Sequence, residues 1–259
     1  MLQLKRLKEL LVLFFTMVKE DGLRYTAGRA TGFLKRRLRS KRGRFLPSAA
    51  ELSRERAADC TLLPKISICT ALYNTDSAFL AEFVESFLSQ TNQNSELCLA
   101  DASDDAHGAV GDYIAQVMES TDRIRYVKLP QNSGISDNTN AAAVLATGEY
   151  LALADHDDRL APHACYELAK TASETDADFI YSDEALFTVD YLRPSVGHFK
   201  PDFAPHYLTN CNYICHLAAF RTTQFWAMGG LHGDYDGSQD HDLFFRLTEI
   251  ANKVVHIPK

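Results

Sequence analysis

Tyr150-Leu151-Ala152-Leu153-Ala154-Asp155-His156-Asp157-Asp158 is the stretch on which the reading of this chain turns. Its first five residues form a short apolar run of the length expected for a buried strand. The next four deliver three carboxylates. Three carboxylates at the mouth of a buried strand are costly unless something positive sits among them. A divalent cation carrying a phosphate fits, because hard cations take oxygen ligands. Taken alone, the same residues also fit a polar turn that caps the following helix.

The residues on the N-terminal side narrow the choice. Ile66 to Tyr73 reads as a strand broken by Asn74-Thr75-Asp76, and Phe79, Leu80, Phe83, Phe87 and Leu88 then recur at helical spacing. Glu96 to Ala100 is a second strand, closed by Asp101 to Asp105, and Tyr113, Ile114, Val117 and Met118 suggest a helix. Ile124 to Leu129 is a third strand, and Thr139 to Thr147 an alanine-rich helix stopped by Gly148. Four strand–helix alternations at about 30-residue spacing predict βαβ units and a parallel sheet. Ligands of such sheets bind beyond the carboxyl ends of the strands. Asn74-Thr75-Asp76, Asp101 and Asp155 to Asp158 all fall there, so three polar clusters are expected to converge on one edge.

On the C-terminal side the alternation loosens. Pro162 to Ala172 is expected to be a helix and Asp178 to Tyr181 a strand followed by Ser182-Asp183-Glu184. Residues 185–215 read as irregular, with Pro194, Pro201 and Pro205, and offer a place to grip a second substrate. Trp226, Met228 and Gly229-Gly230 close a short helix. Leu243, Phe244, Leu247 and Ile250 mark the apolar stripe of a helix starting near Asp240. The helix macrodipole favours a carboxylate at that position. A general base and a simple N-cap both fit it.

The whole chain has a net charge of −7, unevenly spread. Residues 1–44 hold thirteen Lys and Arg against three acids, so this segment is +10 and the remainder −17. Residues 2–20 and 23–39 read as two helices, the first with an apolar stripe of Leu4, Leu7, Leu11, Phe14 and Val18. That stripe could dock on the main domain, or the pair could lie on an anionic membrane surface. Nucleic acid is a poorer partner, because the acidic body repels a phosphate backbone. The apolar run Leu10 to Val18 is nine residues, short of the roughly 18 a spanning helix needs, and lacks a cleavage site, so neither a spanning helix nor a signal peptide is expected. The six cysteines lack CxxC pairs and read as buried free thiols in a reducing, cytoplasmic compartment. Residues 1–63 are thus a basic helical extension and linker, and residues 64–259 the main domain.

Five motifs in order carry a resemblance. They are Leu72-Tyr73-Asn74; Ser86 with Gln90-Thr91; Asn132-Ser133-Gly134 with Asn140 and Ala146-Thr147-Gly148-Glu149-Tyr150; Asp155-His156-Asp157-Asp158; and Gln239-Asp240-His241-Asp242-Leu243 with Arg246. The span from Lys65 to Lys259 resembles a glycosyltransferase of family 2 with the α/β GT-A nucleotide-sugar-binding fold, a Rossmann-like, mostly parallel sheet flanked by helices. The resemblance implies inverting transfer of a sugar from a nucleoside diphosphate, UDP- or dTDP-linked, to a hydroxyl of a lipid-linked or polysaccharide acceptor. It implies Mn2+ or Mg2+ as cofactor and a place at the inner face of the cell membrane. By similarity, Asp101 would hold the nucleobase and Asp155 the ribose, with Asn74 and Asn140 also on the donor side. Asp157 would bind the metal with Asp158 supporting it, and Asp240 would deprotonate the acceptor. Asp183, Lys200 and Asp242 would line the acceptor side.

Two departures matter. Ala100-Asp101-Ala102 has one acid where relatives often have two. Relatives also continue past His256-Ile257-Pro258 into a segment with a further metal-binding His; this chain stops at Lys259, so its metal site is expected to be one ligand short. Two rival functions are an inactive scaffold module and a sugar nucleotidyltransferase. The latter needs a Gly-rich basic loop where Tyr73-Asn74-Thr75-Asp76 stands.

Overall fold

The computed structural model describes residues 46–187 and 196–259. The helices expected at 2–20 and 23–39 lie outside the described residues. The elements are α1 (Ala49–Arg56), β1 (Ile66–Leu72), α2 (Ser77–Leu88), β2 (Ser95–Asp101), α3 (Ala109–Met118), β3 (Ile124–Lys128), α4 (Ile135–Val144), β4 (Tyr150–Leu153), α5 (Ala164–Thr175), β5 (Phe179–Ser182), β6 (Glu184–Leu186), β7 (Val196–His198), α6 (Pro205–Leu208), β8 (Ala218–Arg221), α7 (Thr222–Ala227), α8 (Gln239–Ile250) and β9 (Val254–Ile257). The strand β1 and the strands β2 to β4 fall where the alternating apolar runs place them.

Seven strands form one sheet in the order β3-β2-β1-β4-β8-β5-β9. Among its pairings, only those of β8 with β4 and β5 are antiparallel. The parallel strands return through helices, which cover both faces, so the strands are apolar on both sides. In β4, Tyr150 and Ala152 join the core cluster that contains Phe83 and Phe87 of α2. Leu151 and Leu153 join the opposite cluster, with Phe225 of α7 and Phe244 of α8. Each of these phenylalanines is fully buried and contributes about 1.5–3 kcal/mol of hydrophobic stabilisation.

The structure differs from the sequence reading in several places, among them the stretch 185–215, read as irregular, which carries β7 and α6 and most of β6. The stretch expected as linker carries α1, whose N-terminus is closed by a reciprocal capping box of Ser48 and Glu51. The buried Glu55 of α1 accepts a hydrogen bond from Thr91 Oγ1 at 2.8 Å, which fastens α1 beside the end of α2. Strand β8 was absent from the sequence reading, because four residues give too short an apolar run. Of the six cysteines, Cys60, Cys69, Cys98 and Cys165 are buried, whereas Cys211 is exposed and Cys215 half-buried.

A buried carboxylate pins the amino edge of the sheet. Glu96 of β2 accepts from Lys65 Nζ (2.6 Å), Ser67 Oγ (2.7 Å), Arg125 Nε (2.8 Å) and the Thr147 amide (2.6 Å). Burial alone would raise its pKa, but these donors outweigh it and hold the group at about 2, below the roughly 4.3 of a free glutamate. The folded pKa is the lower one, so this stability is complete above the unfolded value and is lost as pH falls from about 4.3 towards 2, by about 3 kcal/mol. Glu96→Gln is expected to lower the melting temperature at pH 7 and to flatten the acid limb of the stability curve. An unchanged acid limb in thermal melts between pH 2 and 5 would refute the assignment.

Candidate active site

The carboxyl ends of β1 and β4 open into a cleft of about 490 Å³. Tyr73 and Ala71 line it from β1, Asn132, Gly134, Ile135, Asn138 and Thr139 from the start of α4, and Asp155, His156 and Asp157 from the segment after β4. His216, Leu231, Gln239 and Asp240 close the far side. The wall is part apolar and part polar, as small-molecule sites are.

The acidic segment is held from both ends. Thr70 Oγ1 of β1 donates to the Ala154 carbonyl at 2.8 Å. The end of α2 grips the residues that follow. Ser86 Oγ accepts from the Leu160 amide (3.0 Å), and the Gln90 side chain donates to Ala161 O (2.8 Å) and accepts from the Cys165 amide (3.0 Å). The Thr91 amide donates to Pro162 O at 2.8 Å. The Ser86, Gln90 and Thr91 motif is thus the anchor of the loop that presents the acids.

Asp155, Asp158 and His216 place ligand atoms within 4.8 Å of one another. His216 Nδ1 lies 2.9 Å from Asp158 Oδ2 and 4.0 Å from Asp155 Oδ2. Burial would lower the His216 pKa, but the Asp158 hydrogen bond and the Asp155 charge prevail and raise it to about 9. Burial and the neighbouring acids raise Asp155, against the opposing pull of His216. Two carboxylates and an imidazole suit a divalent cation such as manganese. Asp157 is exposed on the cleft and forms no hydrogen bond or ion pair with the described residues, so its carboxylate is available as a further ligand. His216 brings an imidazole beside these acids from within the chain, a group the sequence reading did not include. His156 lines the cleft with a buried Nδ1 that has no hydrogen-bond partner among the described residues.

Asp240 is the second residue of α8. Its Oδ2 accepts from Asn212 Nδ2 at 2.7 Å, and its Oδ1 from the His241 amide at 2.9 Å. The loop before it is tied to α4. Asp236 Oδ1 accepts from the Ser136 amide (3.2 Å), and Ser136 Oγ donates to His232 O (3.2 Å). Asp236 satisfies an otherwise free donor at the helix start. Gly134 sits at φ +96°, a conformation strained for any residue with a side chain, and a Cβ there would also press on the Asp236 carboxylate. This cap from 100 residues away is why α4 begins at Ile135 rather than at the expected Thr139.

Several residues expected to touch substrate have other work. Asp101 is fully buried and does not line the cleft; it accepts from the Ser103 amide (2.8 Å), Tyr126 Oη (2.8 Å) and Lys128 Nζ (3.0 Å). Asn74 exchanges hydrogen bonds with Asp104, joining the loops after β1 and β2. Asn140 clamps the backbone at Leu231: its amide donates to Leu231 O (2.8 Å) and accepts from Leu231 N (2.9 Å). Asp183 is buried, accepting from the Lys200 amide (2.8 Å) and paired with His256 (2.9 Å). The Lys200 side chain is wholly inaccessible. Asp242 accepts from Arg246 Nη2 at 2.6 Å, and Arg246 in turn holds Met228 O and Gly230 O. Asp183, Lys200 and Asp242 thus make framework contacts, through Asp183 Oδ1, Lys200 Nζ and Asp242 Oδ2, and none of the three lines the cleft.

His216 and Asn212 were missed by the sequence reading. The rule that sites lie at carboxyl ends passes over them, because β8 is antiparallel and the residues before it reach the same edge. A usable signal was present: a polar residue bordering the short apolar run Leu217 to Phe220.

The seven-stranded, mostly parallel sheet flanked by helices defines a GT-A fold. A sequence profile of glycosyl transferase family 2 matches residues 67–221, and the chain belongs to that family. It is 29% identical over 213 residues to the O-antigen biosynthesis protein RfbC of Myxococcus xanthus, covering 82% of this chain and 16% of that one. The chain spans about a fifth or less of the length of the first curated relatives it matches. Among solved structures, S. aureus TarS 1–349 in complex with UDP-GlcNAc superposes with a TM-score of 0.61 at 17% identity, over 75% of this chain and 56% of that one. The mannosyltransferase PcManGT from Pyrobaculum calidifontis, in complex with GDP-Man and Mn2+, gives 0.56 at 18%, over 90% and 64%. No helix among the described residues is long and apolar enough to cross a membrane.

Proposed function

We propose that this chain carries out inverting transfer of a sugar from a nucleoside diphosphate to an acceptor hydroxyl during synthesis of a cell-surface polysaccharide. The observation that carries the reading is the convergence of Asp155, Asp157, His216 and Asp240 on one cleft, from three separated parts of the sequence. The donor diphosphate enters over the start of α4, with Tyr73 and Asp155 on the nucleoside side. Asp157, with Asp155, Asp158 and His216, would hold a divalent cation. Such a cation supplies Lewis-acid neutralisation of the departing diphosphate. Asp240, oriented by Asn212, accepts the proton of the attacking hydroxyl. The relative named for O-antigen biosynthesis supports the polysaccharide class, and the UDP-GlcNAc and GDP-Man complexes support a nucleotide-linked donor. The basic residues 1–44 support contact with the anionic cytoplasmic face of a membrane.

The test is calorimetric titration with UDP, dTDP, GDP and CMP, each with and without manganese. One diphosphate is expected to bind in a manganese-dependent way. Absence of binding by all four nucleotides with manganese present would overturn the reading.

A further inference from the structure

One buried ammonium lies behind both halves of the cleft. Lys200 Nζ is wholly inaccessible and donates to the carbonyls of Ile214 and of His216, the latter at 2.5 Å. Its counter-charge, Glu184, lies 3.4 Å away and accepts from the His216 amide at 3.2 Å. Lysine and glutamate together therefore take up three main-chain groups of the segment Asn212 to His216. That segment reaches both functional carboxylates: the Asn212 amide donates to Asp240, and the His216 ring meets Asp158. Tyr213 and Ile214 anchor the middle of the segment in the core, and Lys200 with Glu184 takes up the main chain on its C-terminal side. Cys215 sits at φ +42°, a left-handed conformation costly for a residue with a side chain, and its amide reaches only Asn212 Oδ1, at 3.4 Å.

We infer that Lys200, with Glu184, is a positioning residue that sets the Asn212–His216 segment so that one loop fixes the cation-side carboxylate and the base-side carboxylate in mutual register. The inference rests on the proposed sugar transfer for its functional consequence, but not for its structural one. A neutral side chain of the same length at 200 leaves the Ile214 and His216 carbonyls without this donor and Glu184 without its ammonium partner, although Glu184 still meets the His216 amide and His198. The loop then opens locally, and Asp158 and Asp240 lose their common reference together. Misplacement of that kind costs turnover more than donor affinity, because it acts on geometry near the reacting atoms.

The experiment compares Lys200→Met with Asp183→Asn by hydrogen exchange and by steady-state sugar transfer. Asp183 is buried in the same region, bonded to the Lys200 amide and His256, but it does not touch the carbonyls the ammonium holds. Lys200→Met is expected to raise amide exchange in the peptide spanning 211–217 by roughly tenfold, the equivalent of leaving one buried polar group unpaired. Turnover is expected to fall by up to about 100-fold, with the donor KM changed less than about threefold. Asp183→Asn is expected to lower the melting temperature with neither effect. If Lys200→Met does not fold, Glu184→Gln keeps the side-chain shape and is expected to show the same exchange increase to a smaller degree. Unchanged exchange at 211–217 in the variant that folds overturns the inference. So does an exchange increase with turnover intact. The exchange arm needs neither nucleotide nor metal, so failure of the sugar-transfer reading, seen as an inactive wild type, is distinct from failure of the positioning role.

Discussion

Asp240→Asn is expected to lower the turnover of sugar transfer by roughly 10²–10⁴-fold, the range over which a positioned general base acts. The substitution preserves volume and the place of the side chain at the start of α8. One oxygen remains to accept from Asn212 or from the His241 amide, so the fold and the cleft are expected to survive. What is removed is the capacity to take a proton from the acceptor hydroxyl. Donor binding does not use that capacity, so manganese-dependent nucleotide affinity is expected to stay within about threefold of wild type. The discriminating measurement is therefore a pair: turnover with acceptor, and calorimetric donor binding on the same preparation. Loss of both would point to a collapsed α8 start instead of a missing base. Retention of turnover would remove Asp240 from the mechanism.

The second large effect concerns the cation. Asp157→Ala and His216→Ala are each expected to weaken manganese binding at least about 100-fold, since even outer-shell partners of a metal typically cost 10–100-fold. The physical grounds differ between the two. Asp157 is an exposed carboxylate on the cleft with no partner among the described residues, whereas His216 is an imidazole already oriented by Asp158 at 2.9 Å. The His216 pKa, raised to about 9, adds a sign. A cation needs the neutral ring, so binding must displace its proton. Manganese affinity is therefore expected to rise with pH, by up to about tenfold per unit below pH 9, and then to level off. Titration in buffers of different ionisation enthalpy measures the proton released. Manganese affinity in His216→Ala equal to wild type, with no proton released, would show that His216 braces Asp158 without ligating.

Much of this arrangement was legible before any coordinates. The apolar runs of β1, β2, β3 and β4 are buried on both faces, so they announce themselves without partners. Carboxyl-end polarity then points to Asp155, Asp157 and the loop after β1, and the ordered motifs point to Asp240. Asp101, Asn140, Asp183, Lys200 and Asp242 were legible only as polar residues in suggestive places. Whether such a side chain faces substrate or spends its atoms on framework depends on partners far away in sequence. Asn140 answers to Leu231, and Lys200 to the carbonyls of Ile214 and His216.

By itself, then, the sequence determined the alternating strands, the family and the acidic edge, because hydrophobic periodicity and local motifs are properties of neighbours along the chain. The tertiary structure alone decided that β8 enters the sheet antiparallel, that His216 thereby arrives beside Asp155 and Asp158, and that Asp236 sets the start of α4. Those outcomes depend on contacts between residues 37 to 100 positions apart, and no local pattern encodes which distant donor will meet which acceptor.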